Sequence, residues 1–361
     1  MKTTVLHFIE SLNRGGAEVL LVSYLNSLPA KYNNIVVYMG EPSTMRPELR
    51  NVSKVYNLQY KSKKNLPAAI IKLTKIIRDH NVSLIHSHLY WPTIIARLAL
   101  KGNVPLIFSV HGLMSFDAFG PNILSKYLEI LTHSKNETAV FVSEAAATDY
   151  QNHITFNGRK HILYNAVKSE FFSAEAQKPS IANSETLRLV SVGNLKPQKN
   201  HLFLVKSIAA LANQNISLDI YGEGWQRAEL EEFIKKNAVT NVRLLGSHPA
   251  PEEVLKDYDV FVFASLHEGF CIAMAEAMAV GLPCIVSDLD ALREVSANKQ
   301  LYFNPYNTDE FIVQLLKLKA SERLRTELSE NARVTAKKYT IEAHVQQLVT
   351  IYESVLHETG A

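Results

Sequence analysis

Glu268 and Glu276 stand eight residues apart in the stretch Ser265-Leu266-His267-Glu268-Gly269-Phe270-Cys271-Ile272-Ala273-Met274-Ala275-Glu276-Ala277-Met278, with Gly281 and Pro283 just beyond it. The apolar run Val260 to Ala264 upstream reads as a buried strand, and the Ala/Met-rich segment downstream as a buried helix stopped by Gly281 and Pro283. The motif is therefore strand, acidic loop, helix. A buried carboxylate without a partner costs several kcal/mol or shifts its pKa, so each glutamate needs either a hydrogen-bonded structural role or a ligand with hydroxyls to offer. Gly269 lets backbone N–H groups approach such a ligand, and a helix N-terminus carries partial positive charge. The turn suits phosphate oxygens, and the carboxylates beyond it suit sugar hydroxyls.

Other loops repeat the arrangement. Leu187 to Val192 reads as a strand that runs into the basic turn Gly193-Asn194-Leu195-Lys196-Pro197-Gln198-Lys199-Asn200 before a helix from His201 to Asn213. Lys199 there adds a full charge to the helix dipole, a phosphate-binding combination. Leu218 to Tyr221 ends in Gly222-Glu223-Gly224, and Val242 to Leu245 ends in Gly246-Ser247-His248-Pro249. In the first half, Thr3 to Ile9 leads through Asn13-Arg14-Gly15-Gly16 into a helix over Ala17 to Leu28; the glycine pair lacks the spacing of a dinucleotide fingerprint. Val82 to Ile85 runs into His86-Ser87-His88, and Leu106 to Val110 into His111-Gly112. A zinc site made of His86, His88 and His111 is not expected: the first two are read as diverging to opposite faces of the strand, and no carboxylate spacing completes a set.

These loops need elements to carry them. Strands alternate with helices along the whole chain, through Asn34 to Tyr38, Thr138 to Val142, Lys160 to Leu163 and Pro283 to Ser287, the signature of doubly wound parallel sheets whose ligands sit outside the carboxyl ends of the strands. Residues 173–186 are polar, small and without period. The chain divides at that point into a first domain over 1–170, a linker over 171–186 and a second domain over 187–339.

With 361 residues, 47% apolar and 20% charged, the chain has enough apolar material for two full cores. No stretch approaches the ~18 apolar residues of a membrane span, and the start has no secretory pattern. Cys271 and Cys284 are the only cysteines, too few for a disulfide framework or a four-cysteine zinc site. These features point to the cytoplasm. The net charge of +3 is unevenly divided: residues 1–165 hold 18 Lys/Arg against 10 Asp/Glu, and residues 166–361 hold 20 against 25. Within the basic half, residues 61–78 combine Lys61, Lys63, Lys64, Lys72, Lys75 and Arg78 with an amphipathic apolar pattern compatible with peripheral contact with an anionic membrane surface. Nucleic acid is not an expected partner, since no aromatic platform is interleaved with the basic residues.

In combination, Gly193-x-Leu195-x-Pro197-Gln198-Lys199-Asn200, Tyr221-Gly222-x-Gly224, and Glu268-Gly269-Phe270 with Glu276-Ala277-Met278-Ala279-x-Gly281-x-Pro283 resemble the family 4 retaining glycosyltransferases of the GT-B fold, whose E-x7-E motif the two glutamates match. Gly15-Gly16 with Ala17-Glu18, His86-Ser87-His88, His111-Gly112, Ser143-Glu144 and Asn165-Ala166-Val167 resemble its N-terminal half. The resemblance implies two Rossmann-like domains facing across a cleft, with residues 340–361 forming a helix that crosses back to the first. It also implies a nucleotide-sugar donor, UDP- or GDP-linked, held mainly by the second domain, and a glycan or lipid-linked acceptor held by the first, as in bacterial-type surface polysaccharide or glycolipid synthesis.

By the same resemblance, Glu276 accepts hydrogen bonds from the donor ribose, and Glu268 lies near the sugar and diphosphate. Backbone groups of Gly269, Phe270, Cys271 and Ile272 take the distal phosphate, and Lys199 neutralises the leaving diphosphate. His111 contacts the donor sugar, and Gly15 and Gly16 admit the phosphates. Asn194, Gly222, Gly224, Ser247 and His248 line the donor, while Arg14, His86 and His88 lie on the acceptor side. Neither metal nor cofactor is implied. Two residues depart from the family pattern: Asn194 stands where Arg is common, and Cys271 where Gly is frequent. The first departure keeps open a catalytically weak nucleotide-sugar-binding or partner-regulating protein on the same scaffold.

Overall fold

A computed structural model describes residues 2–100, 104–120, 122–173, 186–248 and 250–359. The chain splits into two units, residues 1–166 with 341–361, and residues 167–340. Most of the expected linker, 171–186, lies outside the described residues.

The first unit is built on seven parallel strands: β1 (Thr3–Ile9), β2 (Tyr32–Tyr38), β3 (Lys54–Asn57), β4 (Leu84–His88), β5 (Leu106–Val110), β6 (Thr138–Phe141) and β7 (Arg159–Ile162). Their spatial order is β3-β2-β1-β4-β5-β6-β7. Crossover helices join them: α1 (Gly16–Ser27), α2 (Leu66–Asp79), α3 (Tyr90–Ala99), α4 (Ile123–Thr132) and α5 (Glu144–His153). The central strands are buried on both faces, as in a sheet covered on both sides.

The second unit opens with α6 (Ser169–Ser173) and has six parallel strands, β8 (Leu187–Val192), β9 (Ile216–Tyr221), β10 (Val242–Gly246), β11 (Val260–Phe263), β12 (Cys284–Ser287) and β13 (Leu301–Phe303), in the order β10-β9-β8-β11-β12-β13. Its helices are α7 (His201–Ala209), α8 (Arg227–Lys236), α9 (Pro251–Leu255), α10 (Ile272–Val280), α11 (Asp290–Val295), α12 (Thr308–Ala320) and α13 (Glu322–Ala336). The last helix, α14 (Ile341–Thr359), belongs to the first unit. There its Ile341, Val345, Leu348, Ile351, Tyr352 and Val355 share a core with Leu20, Leu21, Tyr24 and Leu25 of α1.

Each sheet has one point where the strand order reverses, between β1 and β4 in the first and between β8 and β11 in the second. In open parallel sheets that crevice is where ligands bind. The loops singled out in the sequence after β1, β4, β8 and β11 are the ones that border it.

Residues 61–78 need a different account from the one their charge pattern suggested. Leu66, Ala69, Ile70, Leu73, Ile76 and Ile77 of α2 pack into the core beside Leu6, Phe8, Ile35 and Val37, and only Ile71 among its large apolar residues is turned outward. The amphipathic pattern is that of an ordinary crossover helix, because a helical period reports an apolar neighbour without saying whether it is a sheet or a bilayer.

Candidate active site

In the second unit, the loops after β8 and β11 are laced together. Leu266 donates its backbone N–H to the Gln198 carbonyl at 2.8 Å, the Ser265 hydroxyl donates to the same carbonyl at 3.0 Å, and the Gln198 amide donates to the His267 carbonyl at 2.8 Å. This framework brings together two side chains 69 residues apart: Lys199 Nζ lies 2.5 Å from Glu268 Oε1. Ser265 Oγ also lies 2.6 Å from that oxygen, so its single proton is shared between the Glu268 carboxylate and the Gln198 carbonyl. Glu268 is buried, and the pair is shielded from water, so removing one partner would strand the other charge.

The loop after β9 closes in behind. Gly193 donates its N–H to the Tyr221 carbonyl, and Leu195 to the Glu223 carbonyl, both at 2.9 Å. So close is the approach that a Cβ on Gly222, where φ is +151°, would lie 1.9 Å from the Gly193 carbonyl oxygen, and one on Gly224 would lie 2.3 Å from that of Leu195. Only glycine fits at either position. Ser247 is exposed beyond β10, and half-buried His248 turns its ring edge-on to Tyr221. Asn194 is exposed on the basic turn.

Phe270 is a core residue, with its ring edge-on to Tyr339, so its side chain anchors the acidic loop and only its backbone is available to a ligand. Cys271 follows with φ 74°, a left-handed conformation that costs a non-glycine residue about 1 kcal/mol or more, which is the physical reason glycine suits this place. Burial also pushes its thiol up, so it is no nucleophile. The N-terminus of α10 that follows has no side-chain cap, whereas α4, α5, α12 and α13 are capped by Asn122, Ser143, Asn307 and Ser321.

Glu276 lies one turn into α10, half-buried among alanines and methionines. Among the described residues no group hydrogen-bonds its carboxylate. Burial pushes its pKa up to about 8, against the pull of the Lys168 ammonium and with a small further push from Glu252. A carboxylate held in this way gains most from a ligand that supplies hydroxyl donors.

In the first unit the strand ends hold a histidine network. His7 and His86 are register partners on β1 and β4, and the His86 and His88 rings are 4.2 Å apart. The expected divergence of His86 and His88 is wrong: β4 runs through both, and residues two apart on a strand share a face. The ring nitrogens of His7, His86 and His88 come within 4.8 Å of one another, close enough to hold a metal ion. All six nitrogens already have partners, however. His7 meets Tyr24 and Asn34, His86 meets Tyr352 at 2.6 Å and Ser109 at 2.8 Å, and His88 meets Tyr24 at 2.9 Å and His111 at 3.1 Å. The hydrogen bonds account for the cluster without an ion.

Burial keeps these rings neutral: it pushes His7 down to about 3, His111 and His344 to about 4, and His86 and His88 well below the usual range. The placement of His86 and His88 on the acceptor side is therefore corrected. Both side chains are in the core with every nitrogen engaged, and neither reaches solvent. His111, at the end of β5, is half-buried, and its Nδ1 is buried without a partner. It lines a cavity of about 290 Å³ with Glu10, Leu89, Tyr90, Asp117 and Glu129 at the switch point of the sheet. Leu89, at the strand-to-helix turn beside it, has φ 72°, a strained conformation for leucine. Arg14 is exposed and ion-paired with Glu48 at 2.6 Å, and Gly15 precedes α1 as an N-cap without a side-chain cap, with Gly16 as its first residue.

Sequence reasoning missed His7, Tyr24, His344 and Tyr352, which only the sheet register and α14 bring to the cluster. It also missed His201, a fully buried ring in the second unit behind Lys199, with both nitrogens unpartnered and its pKa pushed down to about 4 by burial and then by Lys199. A histidine at a helix start within a basic turn was the available signal.

Two parallel Rossmann-like sheets, each with its loops of interest at the switch point, are the two halves of the GT-B fold. The model for glycosyltransferase family 4 matches residues 3–171, and the model for group 1 glycosyl transferases matches residues 172–335. The chain belongs to the family 4 glycosyltransferases. Among similar curated proteins, the Campylobacter jejuni N-acetylgalactosamine-N,N'-diacetylbacillosaminyl-diphospho-undecaprenol 4-alpha-N-acetylgalactosaminyltransferase is 26% identical over 347 residues, covering 92% of this chain and 94% of that one. The Escherichia coli UDP-Gal:alpha-D-GlcNAc-diphosphoundecaprenol alpha-1,3-galactosyltransferase is 26% identical, covering 74% and 69%. Among solved structures, Anabaena HepE in complex with UDP and glucose superposes with a TM-score of 0.82 at 15% identity, covering 98% of this chain and 100% of that one. This last likeness speaks to the fold.

Proposed function

We propose that the protein is a retaining glycosyltransferase that moves a hexose from a nucleotide-sugar donor, UDP-linked before GDP-linked, to a lipid-linked or glycan acceptor in surface polysaccharide or glycolipid synthesis, without a metal. The carrying observation is Glu276, a half-buried carboxylate with no hydrogen-bond partner among the described residues, one turn into the helix that follows the Glu268 loop at the switch point of the second sheet. Glu276 takes the two ribose hydroxyls. The backbone of Gly269 to Ile272, at the uncapped start of α10, takes the distal phosphate. Lys199, held in place by Glu268, is assigned to the charge that develops on the leaving diphosphate, where preorganised groups stabilise a transition state most.

His111 is neutral at working pH and so is assigned to hydrogen bonding with the donor sugar rather than to charge. The diphosphate itself helps to deprotonate the acceptor on the same face, which retains configuration. The names of the relatives favour diphospho-undecaprenol-type acceptors, and one of them favours a UDP donor. A thermal-shift screen against UDP-, GDP- and ADP-sugars, followed by NMR of the anomeric proton in the product, tests this reading. Stabilisation by one base class and a product of unchanged anomeric configuration are expected; inversion would defeat the mechanism, and a flat screen the donor site.

A second reading, a binding protein with little turnover, is favoured by one observation: Asn194 supplies no cation, and Arg14 is engaged by Glu48. Tight donor binding with no transfer or donor hydrolysis above background would select it.

A further inference from the structure

The cavity of about 290 Å³ at the switch point of the first sheet has a charge opposite to that of the unit around it. Residues 1–165 hold 18 Lys/Arg against 10 Asp/Glu, yet Glu10, Asp117 and Glu129 line the cavity and no Lys or Arg is among its described lining residues. Its walls are otherwise largely apolar, with Leu89, Tyr90, Val110 and Met114 among them. A small apolar pocket with a few fixed polar groups is the usual form of a small-molecule site, and this one has room for about one sugar residue.

Each charge around it has a definite position. Glu129 meets Arg97 Nη1 at 2.8 Å, and Arg97 Nη2 meets Glu137 at 2.9 Å, so one guanidinium lies between two carboxylates and brings no surplus positive charge. Asp117 is held over the Gly112 backbone, where a Cβ would come 1.9 Å from its Oδ2, and so lies beside His111. His111 is kept neutral by burial and adds no cation. Glu10, just past the end of β1, accepts the backbone N–H of Trp91 in the first turn of α3, whose own N-cap, Leu89, supplies no side-chain bond. Burial raises the Glu10 carboxyl above its usual range even so, and the charge of Glu18 at the start of α1 is felt there too.

The hydroxyls of the lining are already engaged. Tyr90 donates to the Ser125 carbonyl, Thr93 to the Leu89 carbonyl and Tyr150 to Glu129, while Ser109 meets His86. What remains for a ligand is chiefly carboxylate oxygen, which accepts hydrogen bonds and, when ionised, never donates. The cavity therefore suits hydroxyl donors. A carboxylate or phosphate brought beside Glu10 meets a like charge in a poorly solvated place, a repulsion that selects against it by at least about tenfold.

We propose that Glu10 is a specificity-determining residue: it admits to this cavity a sugar residue without an anionic group, accepts a hydrogen bond from one of its hydroxyls, and turns away uronic acids and phosphorylated sugars. For an acceptor linked to lipid through a diphosphate, the diphosphate then lies outside the cavity. That the bound sugar is the acceptor rests on the glycosyltransferase reading; the preference for an uncharged sugar does not.

The test uses the full chain with isotope-labelled methionine methyl groups, titrated in an NMR experiment with the methyl glycosides of glucose and galactose and of the corresponding uronic acids. Met114 lines the cavity, whereas Met274 and Met278 lie on α10 in the second unit. A neutral glycoside should shift the Met114 signal, its uronic partner should bind at least about tenfold more weakly, and Glu10→Gln should bring the two within about threefold. Glutamine keeps an oxygen for the Trp91 N–H, so a Glu10 that served only as a cap would leave the ratio as it is in the wild type. Three results would overturn the proposal: uronic acids bound as well as neutral sugars by the wild type, an unchanged ratio in Glu10→Gln, or a Met114 signal that no neutral glycoside moves. On the same samples, the Met274 and Met278 signals titrated with UDP- and GDP-sugars report donor binding, so the glycosyltransferase reading stands or falls separately.

Discussion

At the switch point of the first sheet the six ring nitrogens of His7, His86 and His88 all have partners inside the protein; at that of the second, Lys199 and Glu268 are paired while Glu276, one turn into α10, has no hydrogen-bond partner among the described residues. The folds of the two units are alike, and the same strand-order reversal sets up both crevices. What differs is how far the polar groups are satisfied. A satisfied buried network rigidifies its surroundings and specifies one arrangement, whereas an unsatisfied carboxylate is destabilising until something binds it. The first unit has its strand-end histidines tied into structure, with His111 Nδ1 the unpartnered member of the network; the second leaves a carboxylate unpaired among the described residues.

The comparison can be broken most severely at Lys199. If its ammonium works on the leaving diphosphate, Lys199→Ala should lower kcat by on the order of 10²–10³ while changing donor affinity much less, as steady-state kinetics would read. An equal loss in both would make it a ground-state binding group instead.

A disturbance of the network should be paid in stability alone. Tyr24→Phe removes the hydroxyl shared by His7 and His88 and leaves two buried nitrogens without a partner, so we expect a loss of about 2–4 kcal/mol in chemical denaturation with donor binding unaffected. A loss under about 0.5 kcal/mol would mean that water replaces the hydroxyl.

The two units should also answer differently to pH. His7, His111 and His344 have folded pKa values near 3, 4 and 4, below the unfolded 6.5. Between pH 6.5 and about 4 the unfolded chain therefore binds more protons, and the first unit loses stability as pH falls, by up to about 1.4 kcal/mol per pH unit for each histidine. Glu276, raised from 4.5 to about 8, acts the other way: its contribution to the second unit is full at low pH and is lost as pH rises through that window. His201 opposes it there as a single group. Hydrogen exchange of β4 and β5 against β11 and α10, followed from pH 7 to 5, should show protection falling faster in the first unit; parallel loss in both would remove the contrast.

The smallest effect is expected at Cys271. Cys271→Gly relieves a left-handed residue but gives up a buried side chain, and the two terms nearly offset, so Tm should move little, within about 1 kcal/mol of stability, with donor binding intact.

Much of the scaffold was legible because its strands are short apolar runs bounded by turn residues: β1 and β8 have the bounds their sequences suggest. The edge strands β3 and β13, with four and three residues, are too short to show a period. β4 was cut short at Ile85 because histidine reads as a loop residue, and that error hid the shared face of His86 and His88. In the second unit, the spacing of Glu268 and Glu276 pointed to a ligand, but local spacing could not show that Lys199, 69 residues away, would meet the first and leave the second alone. The surface was the least legible part. The periodicity of α2 and α4 is similar, and only the packing reveals that one buries its apolar face and the other exposes it.

The central claim is that Glu276 waits for the donor's ribose. Calorimetric titration of wild type and Glu276→Gln with the nucleotide sugar selected by the thermal-shift screen measures it directly, since glutamine keeps the shape and removes the charge. The account predicts that the variant folds at least as stably near pH 8 and binds the donor at least about a hundredfold more weakly. Equal affinity in the two proteins would contradict it.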